Sequence, residues 1–159
     1  MKHLKTILVP TDLSVSSLEA LRYAQDLADP SSTEIILLHA LNRNNEGFSK
    51  RFQSDPAELD ARKKLIHLLT REGMIRRDLR IMLGNRSPLT TILEAVVRLN
   101  VDLVVLTTRG RTGFSQALVG SIAEQVVRLS PVPVLVVKMP GQEPTRLCEA
   151  DIQMHLSLN

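Results

Sequence analysis

Runs of consecutive apolar residues, rather than alternating ones, mark the strands of this chain: 6–9, 34–41, 79–83, 101–106 and 132–137, each rich in Val, Ile and Leu. A strand that is apolar at successive positions is covered on both faces, as in a parallel sheet wrapped by helices. Helical periodicity fills the intervals. Ser16 and Glu19 have the Ser-x-x-Glu spacing of a capping box, and Leu18, Leu21, Ala24, Leu27 and Ala28 make an apolar stripe up to Asp29-Pro30. Asp55-Pro56-Ala57-Glu58 starts a second helix with an N-cap acid and a first-turn proline; its stripe is Leu65, Ile66 and Leu69, and it stops near Gly73. Ser87-Pro88 repeats the device ahead of Ile92, Leu93, Val96 and Leu99. A fourth helix covers 121–129. There Ser121 and Glu124 form another capping box, which makes Ser121 the N-cap and Gly120 the flexible residue before it.

The order is βαβαβαβαβ, and such alternation implies right-handed crossovers and a doubly wound, open α/β sheet. Residues 42–54 are polar, hold Asn44, Asn45 and Gly47, and follow neither period, so they read as a mobile loop. After Lys138 the chain turns polar. The fold is therefore expected to occupy residues 1–138, with 139–159 a flexible tail that carries a short apolar segment at 152–158.

Composition narrows the partners. The chain has 159 residues, enough for one domain with a real core, and 20 Lys and Arg against 17 Asp and Glu. The tail holds one base and three acids, so the body is +5. That excess is small and scattered, and the aromatics Tyr23, Phe48, Phe52 and Phe114 are too few for a base-stacking platform; nucleic acid is not the expected partner. Cys148 is the single cysteine, which excludes an internal disulfide framework and a cysteine zinc cluster. His3, His39, His67 and His155 lack metal-ligand spacing, so no metal site is expected, and His39 reads as a satisfied core or pocket-rim histidine. The apolar run at 7–9 is interrupted by Pro10 and Asp12, giving neither a signal-peptide core nor a membrane span; a cytoplasmic protein is expected.

In an open α/β sheet the ligand crevice lies beyond the carboxyl ends of the strands, where strand order reverses. Pro10-Thr11-Asp12, Ala40-Leu41, Gly84-Asn85-Arg86 and residues 107–113 follow the predicted strands. The last segment, Thr107-Thr108-Arg109-Gly110-Arg111-Thr112-Gly113, combines glycines that let a ligand approach the backbone with arginines that favour an anion. It leads to the fourth helix, whose free amides and positive dipole end make a phosphate site. The segment is neither a Walker A loop nor a Gly-x-Gly-x-x-Gly fingerprint. Asp12 has two readings: a carboxylate accepting from ribose hydroxyls, or a turn residue ahead of the first helix. Gly113-Phe114-Ser115-Gln116-Ala117 only approximates a nucleophile elbow and lies past the strand end. Arg62-Lys63-Lys64 and Arg76-Arg77 read as solvated faces.

Lys5 to Asp12 (KTILVPTD), Leu37 to Ala40 (LLHA), Val101 to Leu106 (VDLVVL), Gly110 to Gly113 (GRTG), Gly120 to Glu124 (GSIAE) and Pro131 to Lys138 (PVPVLVVK) together resemble the universal stress protein family, in order and spacing. Its nucleotide-binding members carry Gly-x2-Gly-x9-Gly-Ser/Thr; Gly110 and Gly120-Ser121 fit the second half, while Thr107 replaces the first glycine. The resemblance implies a Rossmann-like sheet of order 3-2-1-4-5, of the adenine nucleotide alpha hydrolase type, with ATP, ADP or AMP between the ends of strands one and four. By that analogy Asp12 binds ribose and the adenine edge, Pro10, Thr11 and Ala40 line the base pocket, and Leu106 and Thr107 flank the ribose. Gly110, Gly120, Ser121 and Ile122 hold the phosphates, in agreement with the reading of that segment above. A β-branched residue at 107 suits the site only if its φ is negative. Magnesium would accompany the phosphates with Ser121 as ligand, and no general base is evident, so hydrolysis is slow at most and no catalytic residue is assigned. The apolar edge strand from Val132 to Val137 invites pairing, and the resemblance likewise implies a homodimer through it. The alternative is a dimeric stress protein that binds no nucleotide and acts through protein contacts. A related nucleotide-transforming enzyme needs a glycine-rich loop after the first strand, and Pro10-Thr11-Asp12-Leu13-Ser14 has no glycine.

Overall fold

The computed structural model describes residues 3–41, 55–107 and 120–138. In chain order they form β1 (Thr6–Thr11), α1 (Leu18–Leu27), β2 (Glu34–Ala40), α2 (Pro56–Arg71), β3 (Leu79–Gly84), α3 (Pro88–Arg98), β4 (Leu103–Thr107), α4 (Ser121–Leu129) and β5 (Val134–Val137). The strands make one parallel sheet in the order β3-β2-β1-β4-β5, so β1 is central and the order reverses between β1 and β4. Successive strand residues point to opposite faces. Ile7, Val9, Ile35, Leu37 and Val105 pack beneath α1 and α2 with Leu18, Leu21, Leu65 and Leu69. Leu8, Ile36, Leu38, Val104 and Leu106 pack beneath α3 and α4 with Ile92, Val96, Ala123 and Val126. Each fully buried Leu or Ile contributes roughly 1.5–3 kcal/mol, which is why the unbroken apolar runs define this sheet.

Several boundaries differ from the sequence reading, each for a local reason. β1 continues through Pro10 to Thr11. β4 starts at Leu103, because Asp102 leaves the strand and turns its carboxylate back on the chain. β5 starts at Val134, because the Ser130 hydroxyl donates to the Val132 carbonyl at 2.9 Å and accepts from its amide at 3.2 Å, closing a turn there. The caps at Asp55 and Ser87 form as expected, accepting from the amides of Ala57 at 3.0 Å and Thr90 at 3.4 Å. The two expected capping boxes do not form. Ser17, not Ser16, precedes α1, and Gly120 is the N-cap of α4, with Ser121 inside the helix. Leu27 and Ile66 sit on helix flanks, outside the buried stripes, and are 48% and 45% exposed. Gly73, with φ of +66°, ends the turn after α2 as the Gly stop implies.

Asp102 joins the two halves of the sheet. Its Oδ2 accepts from the amides of Lys5 at 2.9 Å and Thr6 at 3.2 Å, while its own amide donates to the Thr6 carbonyl at 2.9 Å. The carboxylate thereby fixes the entry of β1 against that of β4. Asp102→Ala is expected to destabilise the fold by about 1–3 kcal/mol, with an unchanged urea m-value. A midpoint within error of the wild type would contradict the latch.

Candidate functional site

The hydrogen-bonded ladder between β1 and β4 is short. Their register holds Ile7 opposite Leu103 and Leu8 opposite Val104, and goes no further. On the other side β1 stays paired with β2 as far as Thr11 opposite His39, and β4 with β5 as far as Thr107 opposite Val137. Proline supplies the reason. The Lys5 carbonyl accepts from Glu34 on the β2 side and the Thr6 carbonyl from Asp102 on the β4 side, so alternation turns Pro10, like Thr6 and Leu8, toward β4. In that register the next rung needs a hydrogen on the amide of residue 10, directed at the Val105 carbonyl. Proline has none. A proline in a central strand, ordinarily disruptive, here ends the hydrogen-bonded ladder at the point where strand order reverses.

The turn that leaves β1 is held by hydroxyl groups. Asp12 Oδ1 accepts from the Ser14 amide at 3.1 Å and from the Ser14 hydroxyl. Ser14 Oγ in turn accepts from the Ser17 amide at 3.2 Å, and the Ser17 hydroxyl donates to the Ser14 carbonyl at 2.8 Å. Thr11 and Ser17, both buried, share a hydrogen bond of 2.6 Å between their hydroxyls. Leu13 occupies the left-handed region with φ of +67°, its amide donating to Thr11 Oγ1 at 3.1 Å while its side chain packs on the α1 and α2 core. A leucine there stores strain of about 1–2 kcal/mol, held by the surrounding contacts. His39 adds a brace: its Nδ1–H donates to the Thr11 carbonyl at 2.8 Å, which bears out a satisfied pocket-rim histidine. Asp12 is thus presented by a locked turn beyond the central strand.

Helix N-termini reach the same end of the sheet in different states. In α1 the amides of Leu18 and Glu19 donate back to the carbonyls of Val15 and Ser16. Asp55 caps α2 and Ser87 caps α3. α4 begins at Gly120, which has no side chain to cap with, and the first engaged amide is that of Glu124, donating to the Gly120 carbonyl at 2.9 Å. The amides of Ser121, Ile122 and Ala123 have no hydrogen-bond partner among the described residues. Gly120 itself has φ of −67° and no need of a left-handed backbone.

The expected site residues are placed as follows. Pro10, Thr11 and Asp12 end β1, Ala40 ends β2, Leu106 and Thr107 end β4, and Gly120, Ser121 and Ile122 open α4. Leu106 faces α3 and α4, and alternation puts Pro10 and Ala40 on that face. Thr11 does not line that face; its side chain turns to α1 and Ser17. Thr107 lies in regular strand opposite Val137, and Leu13 and Asn100 are the non-glycine residues with positive φ among those described, so a threonine at 107 is unstrained. Arg109, Gly110, Arg111 and Gly113 lie outside the described residues, as do 42–54 and the tail from 139. No three His, Cys, Asp or Glu side chains converge on a cation site, and no helix is long and apolar enough to cross a membrane, among the described residues.

Sequence reasoning missed three features. The early end of the β1–β4 ladder was signalled by a proline within an apolar run. The left-handed Leu13 carried no signal, since the turn has no glycine. The third is the contact of Gly84 with α3: a Cβ on Gly84 would overlap the Thr91 side chain, and Thr91 is 7% exposed.

Comparison with known proteins agrees with this geometry. The model of the Universal stress protein family matches residues 3–138. Universal stress protein MJ0531 of Methanocaldococcus jannaschii is 30% identical over 149 residues, covering 87% of this chain and 85% of that protein. The solved structure of MJ0577, from the same organism, superimposes with a TM-score of 0.70 at 26% identity, covering 89% of this chain and 100% of that one. The universal stress protein of Archaeoglobus fulgidus in complex with dAMP has a TM-score of 0.62 at 19% identity, covering 87% of this chain and 100% of that one.

Pro10→Ala restores the missing hydrogen. The amide of residue 10 is then expected to bond across to Val105, extending the β1–β4 ladder and exchanging its proton slowly. Rapid exchange at that amide, as at the surface, would show that something other than the missing hydrogen ends the ladder.

Proposed function

The chain belongs to the universal stress protein family, and on that footing we propose that it is a regulatory module that binds ATP, or its products ADP and AMP, in the crevice between β1 and β4. The observation that carries the reading is the start of α4: three amides with no partner among the described residues, at the positive end of a helix and beyond the end of the β1–β4 ladder, suit a phosphate. Asp12, held by Ser14 one turn before α1, is the group for the ribose hydroxyls and the base edge. Pro10, Ala40 and Leu106 supply apolar wall on the α3 and α4 face. Thr107, in regular strand without positive φ, would flank the ribose without backbone strain. Gly110 with Arg109 and Arg111 would close over the phosphates, and Gly113 would allow the loop its approach.

Binding rather than turnover is the role these residues suit. Asp12 and Glu124 are the acids of the described crevice segments; the first is engaged by the turn and the second lies exposed on α4, which leaves water without a base. A magnesium ion arriving with ATP would find the Ser121 hydroxyl and, among the described residues, no cluster of carboxylates to hold it. Calorimetry with ATP is expected to show binding to the wild type and at least a tenfold weaker Kd for Asp12→Ala, in the range for losing hydrogen bonds to a charged group. Absence of binding to the wild type would leave the alternative, a stress protein that acts through protein contacts alone.

The same reading includes a homodimer through β5. This strand is at the sheet edge, and the bond from the Val104 amide to the Pro133 carbonyl assigns residues 133 and 135 to β4, turning the amides of Val134 and Val136 outward. Val136→Pro removes an outward donor and leaves the β4 ladder intact. Sedimentation is expected to give a dimer for the wild type and a folded monomer for this variant; a dimer in both would place the interface elsewhere.

A further inference from the structure

At the carboxyl ends of the strands, a row of small groups crosses the α3 and α4 face. Thr11 is opposite His39 and Ala40 is opposite Gly84, so Ala40 and Gly84 stand at one level on β2 and β3, with Asp12 the residue that follows the end of β1. Leu38 and Met82, two residues before Ala40 and Gly84, lie against α3 and α4, which fixes the face on which the row is read. Thr91 stands over its far end. The residue belongs to the first turns of α3, is 7% exposed, and has its Oγ1 3.1 Å from where a Cβ on Gly84 would be. That oxygen is buried and has no hydrogen-bond partner, although Ser87, four residues earlier, offers a carbonyl that already accepts the Thr91 amide at 2.9 Å. A buried hydroxyl without a partner is destabilising, and valine would fill the same space without that cost. Its position, one strand beyond Ala40 and on the same face, gives the hydroxyl a use.

We propose that Thr91 reads the base of the bound nucleotide, its Oγ1 accepting a hydrogen bond from the 6-amino group of an adenine that rests on Ala40. This inference rests on the nucleotide reading above and adds to it a residue that determines specificity. Asp12 and Thr91 then stand at the two ends of the row, the first toward the ribose and the second toward the far edge of the base. Rotation about χ1 swings Oγ1 around the Cα–Cβ bond without moving α3, so a base seated on Ala40 reaches a hydroxyl that is enclosed in the free protein. Gly84 is glycine because the side chain that reads the base occupies the place of its Cβ.

The test compares AMP with purine riboside 5′-monophosphate, which lacks the 6-amino group, by calorimetry on the wild type, Thr91→Val and Thr91→Ser. The wild type is expected to prefer AMP by roughly three- to tenfold, the range of one neutral hydrogen bond. Thr91→Val is expected to bind the two ligands alike, with a Tm without ligand at or above that of the wild type, and Thr91→Ser to retain the preference. The same preference for AMP in Thr91→Val as in the wild type overturns the role of Thr91 and leaves the nucleotide site standing. Failure of the wild type to bind either ligand overturns the nucleotide reading, and this inference with it.

Discussion

One absent hydrogen, on the nitrogen of Pro10, is the constraint that makes the two sides of the central strand unequal. A five-stranded parallel sheet with β1 at its centre would otherwise be zipped along both sides of that strand. The ladder to β2 needs only the odd-numbered amides of β1 and runs to Thr11; the ladder to β4 needs the even-numbered ones and stops after Leu8. The hydrogen bonding ends early on one side alone, near where the chain leaves β1 for α1. Topology fixes where a crevice can be, and the imide decides where the ladder beside it stops.

Around that opening the fold distributes its polar groups unevenly. The Asp12 turn is saturated: hydroxyls of Thr11, Ser14 and Ser17 and the ring of His39 bind one another and the backbone, and they hold Leu13 in a conformation that leucine otherwise avoids. The starts of α1, α2 and α3 engage amides of their own first turns. At the start of α4 the amides of Ser121, Ile122 and Ala123 have no partner among the described residues, and the buried hydroxyl of Thr91 has none. Rigidity on the β1 side and unmet hydrogen-bonding capacity on the α3 and α4 side are what a preorganised binding site requires.

Much of the fold was legible because burial on both faces leaves an unmistakable mark. The runs ILV, IILL, LVVL and VLVV marked four strands, Leu79 to Leu83 marked the fifth, and Asp55-Pro56 and Ser87-Pro88 marked two helix starts that the coordinates bear out. What failed was the choice among adjacent polar residues. Ser16 and Ser17 both suit an N-cap, as do Gly120 and Ser121, and the decision falls to tertiary partners such as Thr11 that spacing does not reveal. Pro10 reads as the end of β1 because proline usually ends a strand; the strand continues because the missing donor would point to β4, while the ladder to β2 uses the amides of Val9 and Thr11. Of the site, the ends of β1, β2 and β4 and the start of α4 were legible, whereas the brace at His39 and the contact of Thr91 with Gly84 join residues far apart in sequence.

The latch at Asp102 has a consequence for the order in which the molecule is made. It ties residues 97 positions apart, and the strand it precedes is the second neighbour of the one that comes first in the chain. As the ribosome releases the chain, β1 can find β2 and β3 early, but its other flank has no partner until residues 103–107 have emerged. Through that interval the future centre of the sheet is a bare edge of the kind that recruits foreign strands. Proline is among the residues that blunt such edges, so the imide that ends the β1–β4 ladder in the finished protein also guards the unfinished one.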